Sequence, residues 1–193
     1  MTYKSKEFNS LLGIKGFSEG LLQNHFRLYQ GYVANTNKLS EILSTLSKEG
    51  KQGTPEYAEL KRRFGWEFNG MRLHELYFEN MSKTSKKPKN SVLLKEIEEE
   101  FGSFEEWEKD FKAVGALRGI GWVVLFYDPI GEKLFNAWIN EHDLGHLTGA
   151  TPLLVLDVFE HAFMLDYGLN RKDYIDKFFD IINWQIVEKR FKK

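Results

Sequence analysis

The chain has 193 residues, of which 42% are hydrophobic and 28% are charged, and these proportions predict a folded globular protein rather than a disordered one. It contains no cysteine, which excludes disulfides, thiolate metal sites and a cysteine nucleophile, so histidine and carboxylate side chains must supply any metal site. The formal net charge of −1 does not favour nucleic-acid binding, and no apolar run approaches the length that spans a bilayer. The polar N-terminus shows no secretion signal, so we expect a cytoplasmic protein.

The first part of the chain predicts two long helices. Ser18 is a suitable N-cap, and apolar residues recur at helical spacing after it until Gly50 interrupts the pattern. Thr54 and Pro55 predict the start of the second helix, because the hydroxyl can cap it and proline suits the first helical position. Two long helices joined by a short loop form an antiparallel hairpin. We therefore predict an N-terminal helical hairpin domain over residues 1–88.

The second part is predicted to be an α/β domain over residues 89–193. The segment 82–91 before it is polar and basic and contains a proline, which is typical of a linker. Two helices are expected next. Asn90 or Ser91 can cap the first, and Ser103 opens a capping box at the start of the second.

Three apolar segments rich in β-branched and aromatic residues then predict strands, at 122–127, 133–139 and 152–159. The segment Pro129-Ile-Gly131-Glu between the first two is a turn, which predicts a hairpin. Helix is expected again from Ala162 to the C-terminus. The predicted fold class is α+β, with an N-terminal antiparallel helical hairpin and a C-terminal mixed domain that holds a small three-stranded antiparallel sheet and flanking helices.

Three of the five histidines, His25, His74 and His161, lie in strongly apolar segments, where a single histidine is usually a hydrogen-bonded core residue. Asp157 lies in an equally apolar segment, and an ionised carboxylate there is costly unless it is paired or binds a cation. One interpretation is a structural Asp157–His161 hydrogen bond, since helical spacing places the pair within roughly 6 Å. The other is a metal site of three imidazoles and one carboxylate, which suits iron or manganese better than a closed zinc site and would join both parts of the chain.

A second histidine pair, His142 and His146, has the spacing of a zinc-hydrolase motif, with Asp143 in place of the glutamate. That chemistry requires a regular helix, which Gly145 inside the motif disfavours. A zinc-type metal hydrolase using His142 and His146 is therefore an alternative function. Support of the other histidine site, or a plain surface loop, are the other interpretations of this motif.

Longer motifs contain these candidates. Residues 156–174 read LDVFEHAFMLDYGLNRKDY and are followed by Asn183-Trp184, residues 69–74 read NGMRLH, and Trp122 follows Gly121. Together they resemble the iron/manganese superoxide dismutases, whose pattern in the first of these segments is D-x-W-E-H-A-Y-Y-L-x-Y-x-N-x-R-x-x-Y, followed by N-W. The resemblance covers nearly the whole chain.

This resemblance implies one iron or manganese ion per subunit. It implies that Trp122 lines the metal pocket, that Tyr32 stands at the substrate channel and that Arg171 lies near its mouth. His142 is similar to a histidine that some archaeal members use to bond the metal-bound solvent, although a literal alignment would place Glu141 there. The metal ligands that the resemblance implies are His25, His74, Asp157 and His161.

The implied activity is superoxide dismutation, in which redox cycling of the ion converts superoxide to dioxygen and hydrogen peroxide. The implied assembly is a homodimer in which Glu160 reaches His161 of the partner subunit; a tetramer stays open, and no nucleic-acid or membrane partner is expected. The family's first ligand stands eight residues before the channel tyrosine, a position that Asn24 occupies here, whereas His25 stands seven before Tyr32. Either His25 or a shifted neighbour therefore completes the ligand set, and a non-catalytic relative of the dismutase fold stays an alternative.

Overall fold

A long helical hairpin followed by a small sheet with short helices makes up the part of the chain that the computed structural model describes, residues 2–87 and 91–191. This is the predicted α+β class. Within these ranges no helix is both long and apolar enough to cross a membrane. The elements in chain order are a 3₁₀ turn Asn9–Leu11, α1 Glu19–Lys48, α2 Pro55–Glu79, α3 Val92–Phe101, α4 Phe104–Gly115, β1 Gly121–Asp128, β2 Lys133–Asn140, β3 Thr151–Asp157, a 3₁₀ turn Glu160–Ala162, α5 Met164–Tyr167, α6 Arg171–Phe179 and α7 Trp184–Arg190.

The predicted helix starts of the hairpin are confirmed. The Ser18 hydroxyl accepts the backbone N–H of Leu21 at 3.1 Å, and the Thr54 hydroxyl accepts that of Tyr57 at 3.3 Å. Each cap satisfies a backbone donor that has no partner inside its helix. Helices α1 and α2 then pack along their apolar faces, so residues on the inner face of each helix are brought together over a long distance.

The sheet is three-stranded and antiparallel, in the order β2-β1-β3, as predicted. The central strand β1 is buried on both faces, which explains its continuous apolar sequence. Its first residue must be a glycine, because a Cβ on Gly121 would lie 2.0 Å from the carbonyl oxygen of Ile139 on β2. Strand β3 ends at Asp157, two residues earlier than predicted, because the Asp157 Oδ1 atom accepts the backbone N–H of Phe159 at 2.9 Å and turns the chain.

The continuous helix predicted from Ala162 to the C-terminus is absent from the described residues up to 191, and a 3₁₀ turn with three short helices replaces it. Phe163, with φ −142°, is not helical, and Gly168, with φ +55°, ends α5. Glycine tolerates this left-handed conformation at little steric cost. The breaks let this segment fold back against α4 and the sheet instead of extending into solvent.

The predicted linker 82–91 is only partly described, because Pro88 and Asn90 lie outside the described residues. Its first residues are tied to the C-terminal segment, since the backbone N–H of Ser82 bonds to the Ile181 carbonyl at 2.8 Å. Of the two candidate caps, Ser91 accepts the backbone N–H of Leu94 at 3.1 Å and caps α3. The domain boundary at residues 88 and 89 stays a prediction.

Two helical glycines predict opposite responses to the same substitution. Gly31→Ala on α1 adds a methyl group where no atom lies within 4 Å, so the higher helix propensity of alanine should stabilise the protein by about 0.5–1 kcal/mol. Gly70→Ala on α2 places its Cβ 2.7 Å from the ring of Tyr32 and should destabilise it, because the tyrosine must move. Thermal unfolding of both variants checks this, and a common sign of the two shifts would contradict the packing described.

Candidate metal centre

Four side chains from distant parts of the sequence converge on one point. The ligating atoms of these residues all lie within 4.8 Å of one another. The hairpin supplies one residue from each of its helices, and the C-terminal part supplies one from the end of β3 and one from the following 3₁₀ turn. Asn24, the alternative to the first of them, is exposed on the surface of α1. The four residues are His25, His74, Asp157 and His161.

One carboxylate oxygen lies at the focus of this cluster. The Asp157 Oδ2 atom is 3.1 Å from the Nε2 atoms of both His25 and His161 and 3.6 Å from that of His74. Its other oxygen accepts the Phe159 backbone N–H, so the carboxylate cannot rotate freely. Three imidazole nitrogens therefore face a single, fixed oxygen.

Burial sets the charge state of the cluster. His25 and His74 are almost fully buried, and this burial lowers the pKa of both imidazoles, that of His74 well below its usual range. They are therefore neutral, which is the form that binds metals. Burial raises the pKa of Asp157, but the charge and hydrogen bond of His161 and the hydrogen bond of His25 outweigh it and lower the pKa overall, so the carboxylate is ionised.

A fixed tautomer leaves His74 with a free lone pair in the cluster. Its Nδ1 atom donates to the carbonyl of Gly70 at 2.6 Å, so the Nε2 atom of the neutral ring carries no proton. That Nε2 atom is buried without a hydrogen-bond partner. An unpaired buried acceptor is costly, and coordination of a cation is the interaction that would satisfy it.

The donor set fits an iron or manganese ion. Ligand bonds of roughly 2 Å to a central ion hold donors at most about 4 Å apart, so the cluster needs only a small contraction. Three imidazoles with one carboxylate suit a mid-series transition metal. The backbone around Asp157 is also secured, because Tyr174 donates its hydroxyl to the Asp157 carbonyl at 2.6 Å, and Tyr77 in turn donates to the Tyr174 oxygen at 3.1 Å.

A chain of hydrogen bonds runs beside the cluster through three residues that the sequence singled out. Trp122 donates its indole N–H to the Nδ1 atom of His142 at 3.0 Å. The Nε2 atom of His142 lies 2.8 Å from the Tyr32 hydroxyl. Burial lowers the pKa of His142 to about 4, so the ring is neutral, and since Nδ1 accepts, Nε2 must carry the proton and donate to Tyr32.

These hydrogen bonds distinguish between His142 and Glu141, the two residues predicted as candidates for bonding the metal-bound solvent. The imidazole of His142 is buried and contacts the rings of Tyr32 and His74, with centroids 4.9 and 6.1 Å away. The carboxylate of Glu141 instead accepts the indole N–H of Trp66 at 3.2 Å. His142 is therefore the residue placed toward the cluster, and Glu141 lies behind it.

The guanidinium of Arg171 forms hydrogen bonds with backbone carbonyls. Its guanidinium donates to the carbonyls of Leu117 and Gly119 at 2.8 and 2.9 Å and lies 5.4 Å from the ring centroid of Phe163. It therefore secures the segment between α4 and β1. Its position near a channel mouth stays a prediction.

The structure gives no support to a zinc site at His142 and His146. Both ring nitrogens of His142 are occupied, and the Nε2 atom of His146 bonds to the His142 carbonyl at 2.9 Å rather than facing a common ion. The motif forms a turn and not a helix. Gly145 has φ +105°, and a Cβ there would lie 2.4 Å from the carbonyl oxygen of Trp138.

Sequence reasoning missed two residues of the site. The ring of Phe159 stacks against His142 and His161, with centroids 4.9 and 5.1 Å away. Trp66 packs on His142 with a centroid distance of 4.4 Å. The signal for Trp66 was its spacing, since residues eight apart on a helix share a face, and Trp66 stands eight before His74.

A helical hairpin bound to a small α/β domain through three imidazoles and one carboxylate defines a mononuclear iron- or manganese-binding metalloprotein. A family model described as iron/manganese superoxide dismutases, C-terminal domain, matches residues 88–190. The chain belongs to the iron/manganese superoxide dismutase family.

Curated relatives agree over most of the chain. The chain is 36% identical to "Superoxide dismutase [Fe]" of Aquifex aeolicus over 185 residues, which is 93% of this chain and 86% of that protein. It is 36% identical to "Superoxide dismutase [Mn]" of Haloarcula marismortui over 173 residues, 90% of this chain and 84% of that protein. It is 34% identical to "Superoxide dismutase [Fe]" of Pyrobaculum aerophilum over 174 residues, 88% of this chain and 81% of that protein.

Removal of one ligand should abolish metal binding, while removal of a histidine outside the cluster should not. We expect His161→Ala to lose its iron or manganese, because His161 supplies one of only four protein donors. His146→Ala is the matched control and should keep its metal, since His146 is not one of the four cluster residues and bonds to the His142 carbonyl. Metal content of the purified proteins, measured by mass spectrometry, checks both, and retention of metal by His161→Ala would defeat the assignment.

Proposed function

We propose that this protein is a superoxide dismutase, which converts two superoxide anions and two protons to dioxygen and hydrogen peroxide. The observation that carries the proposal is the convergence of His25, His74, Asp157 and His161 within 4.8 Å. The relatives named superoxide dismutase over about nine-tenths of the chain support the same reaction. Both iron and manganese are represented among those relatives, so one ion of either metal per subunit is the proposed cofactor.

The division of labour between metal and protein follows from the donor set. A bound iron or manganese ion supplies one-electron exchange with superoxide. The protein would hold that ion with the single negative charge of Asp157 and the imidazole nitrogens of His25, His74 and His161. Burial lowers the pKa of His25 and His74, so these two ligands stay neutral near neutral pH.

We propose that Tyr32 delivers protons and that His142 supports it through their hydrogen bond. His142 donates its Nε2–H to the Tyr32 oxygen, which leaves the phenol's own proton free to be donated toward the cluster. Burial raises the pKa of Tyr32, so the phenol stays protonated until a proton is taken from it. The Nε2–H of His142 stays on the imidazole and stabilises the resulting phenolate by its hydrogen bond, until the phenolate takes up a proton from solvent.

Trp122 is proposed to line and close the pocket. It is fully buried, its ring lies 4.9 Å from that of His74, and its indole N–H fixes the tautomer of His142. Water is excluded on this side, which strengthens the electrostatic interactions inside the site. A steering role of Arg171 toward the superoxide anion is retained as a prediction, as is a cytoplasmic location.

The proposed assembly is a homodimer formed by the surface next to His161. This side chain is 28% exposed, in contrast to the other three ligands, and it borders a cavity of about 440 Å³. Met164 and Leu165 beside it are 42% and 64% exposed, and Glu160 is also exposed. An apolar surface that contains one carboxylate and one imidazole edge can pair with a second copy of itself, Glu160 meeting His161 of the partner subunit.

The activity should follow the metal. We expect protein loaded separately with iron and with manganese to consume superoxide in proportion to its metal content with at least one of the two ions. Metal analysis together with stopped-flow measurement of superoxide decay checks this. Zinc content with peptidase activity and no dismutation would instead favour a hydrolase, and a purified protein without bound metal would favour a non-catalytic relative.

The dimer should depend on Glu160. Glu160→Ala removes one partner of a charge-assisted contact that becomes buried on association, so we expect dissociation to occur at a protein concentration at least about tenfold higher than for the unmodified chain. Glu105→Ala removes an exposed carboxylate from α4 and is the control. Sedimentation velocity over a range of concentrations checks the difference, and equal behaviour of the two variants would refute the proposed interface.

A further inference from the structure

The turn that carries His142 has an unfavourable backbone conformation. Glu141 has φ +49°, a left-handed conformation that is unfavourable for a residue with a side chain. The turn is nevertheless closed, because Asn140 and Leu144 exchange two backbone hydrogen bonds, at 2.8 and 3.4 Å, and His146 bonds to the His142 carbonyl. The orientation of His142 therefore depends on contacts that hold this turn in place.

One of these contacts comes from the helical hairpin. Trp66 on α2 donates its indole N–H to the Glu141 Oε2 atom at 3.2 Å. The centroid of the same indole ring lies 4.4 Å from the ring centroid of His142 and 5.6 Å from the ring centroid of Tyr32. Trp66 thus joins α2 both to the turn and to the two residues of the proton-delivery chain.

Trp66 is itself held from outside. The guanidinium carbon of Arg63 lies 3.9 Å from the Trp66 ring centroid, within the range of a cation–π contact. Arg63 is fixed in turn by the buried carboxylate of Glu67, at 2.6 Å. The indole therefore has neighbours at its ring and at its N–H group, and it has little freedom to rotate.

We propose that Trp66 is a positioning residue, whose hydrogen bond to Glu141 and ring contact with His142 hold the imidazole within hydrogen-bond distance of Tyr32. This inference rests on the proposed dismutase function. Phenylalanine at this position would retain most of the ring packing but would lack the N–H donor. An effect of Trp66→Phe on catalysis would therefore come from loss of the hydrogen bond to Glu141 rather than from loss of packing.

The first test compares two tryptophans. Trp66→Phe removes the bond to Glu141. Trp107→Phe is the matched control, because the buried Trp107 on α4 donates its indole N–H to Asn136 on β2 at 3.0 Å. We expect Trp66→Phe to keep its metal and to lower kcat roughly three- to tenfold while kcat/KM changes less, since proton delivery follows substrate capture. Trp107→Phe should lose thermal stability without a change in kcat.

The second test uses the acceptor. Glu141→Gln keeps a side-chain oxygen for the indole and should retain kcat, whereas Glu141→Ala should lower kcat as much as Trp66→Phe. The double variant of Trp66→Phe with Glu141→Ala should be no worse than either single variant, because both remove one interaction. Glu141 is partly exposed, so this pair does not depend on how well a tryptophan substitution folds.

A crystal structure of Trp66→Phe provides a readout besides activity. We expect the distance from His142 Nε2 to the Tyr32 oxygen to lengthen from 2.8 Å to beyond hydrogen-bond range. An unchanged distance together with an unchanged kcat overturns the positioning role, as does an equal effect of Trp66→Phe and Trp107→Phe on kcat. Absence of dismutation in the unmodified, metal-loaded protein would instead refute the proposed function itself.

Discussion

The structure depends on one buried carboxylate. Asp157 is fully buried at the end of β3, where an isolated charge would be strongly destabilising. Two imidazoles at 3.1 Å and a third at 3.6 Å from one of its oxygens surround that charge, and two of the three histidines come from the helical hairpin. The requirement to compensate Asp157 therefore fixes how the hairpin lies against the sheet, and this arrangement creates the metal centre.

The outer residues are organised by a second requirement, the choice of a tautomer. Trp122 has only a donor to offer, so the nitrogen of His142 that it meets must accept. The other nitrogen is then a donor, and the Tyr32 oxygen accepts its hydrogen bond. A single indole N–H thus decides which nitrogen of His142 accepts and which one donates to Tyr32.

Much of this could be predicted from the sequence, and the parts that could not have physical reasons. The caps at Ser18 and Thr54 and the three strands were predictable because they follow from local hydrogen bonding and from the pattern of apolar residues. The C-terminal breaks were not, because Phe163 leaves helical geometry for reasons of tertiary packing that no local propensity records.

The site divides in the same way. The four cluster residues could be predicted because histidines and an acid in strongly apolar segments are unusual. The family resemblance then implied that these four residues are the metal ligands. The contact of Trp66 with Glu141 could not, since it joins residues on α2 and on a distant turn through one side-chain hydrogen bond. Neither Trp66 nor Glu141 belongs to a recognisable sequence motif. Glu141 also adopts a left-handed backbone conformation that glutamate does not favour.

The long sequence separation within the cluster bears on when the ion can be acquired during biosynthesis. His25 and Asp157 are 132 positions apart, and His161 follows four positions later. A ribosome must therefore have released more than four-fifths of the polypeptide before all the donors coexist. Metallation is then a late event, and the cellular supply of each metal at that moment contributes to deciding which ion the finished enzyme contains.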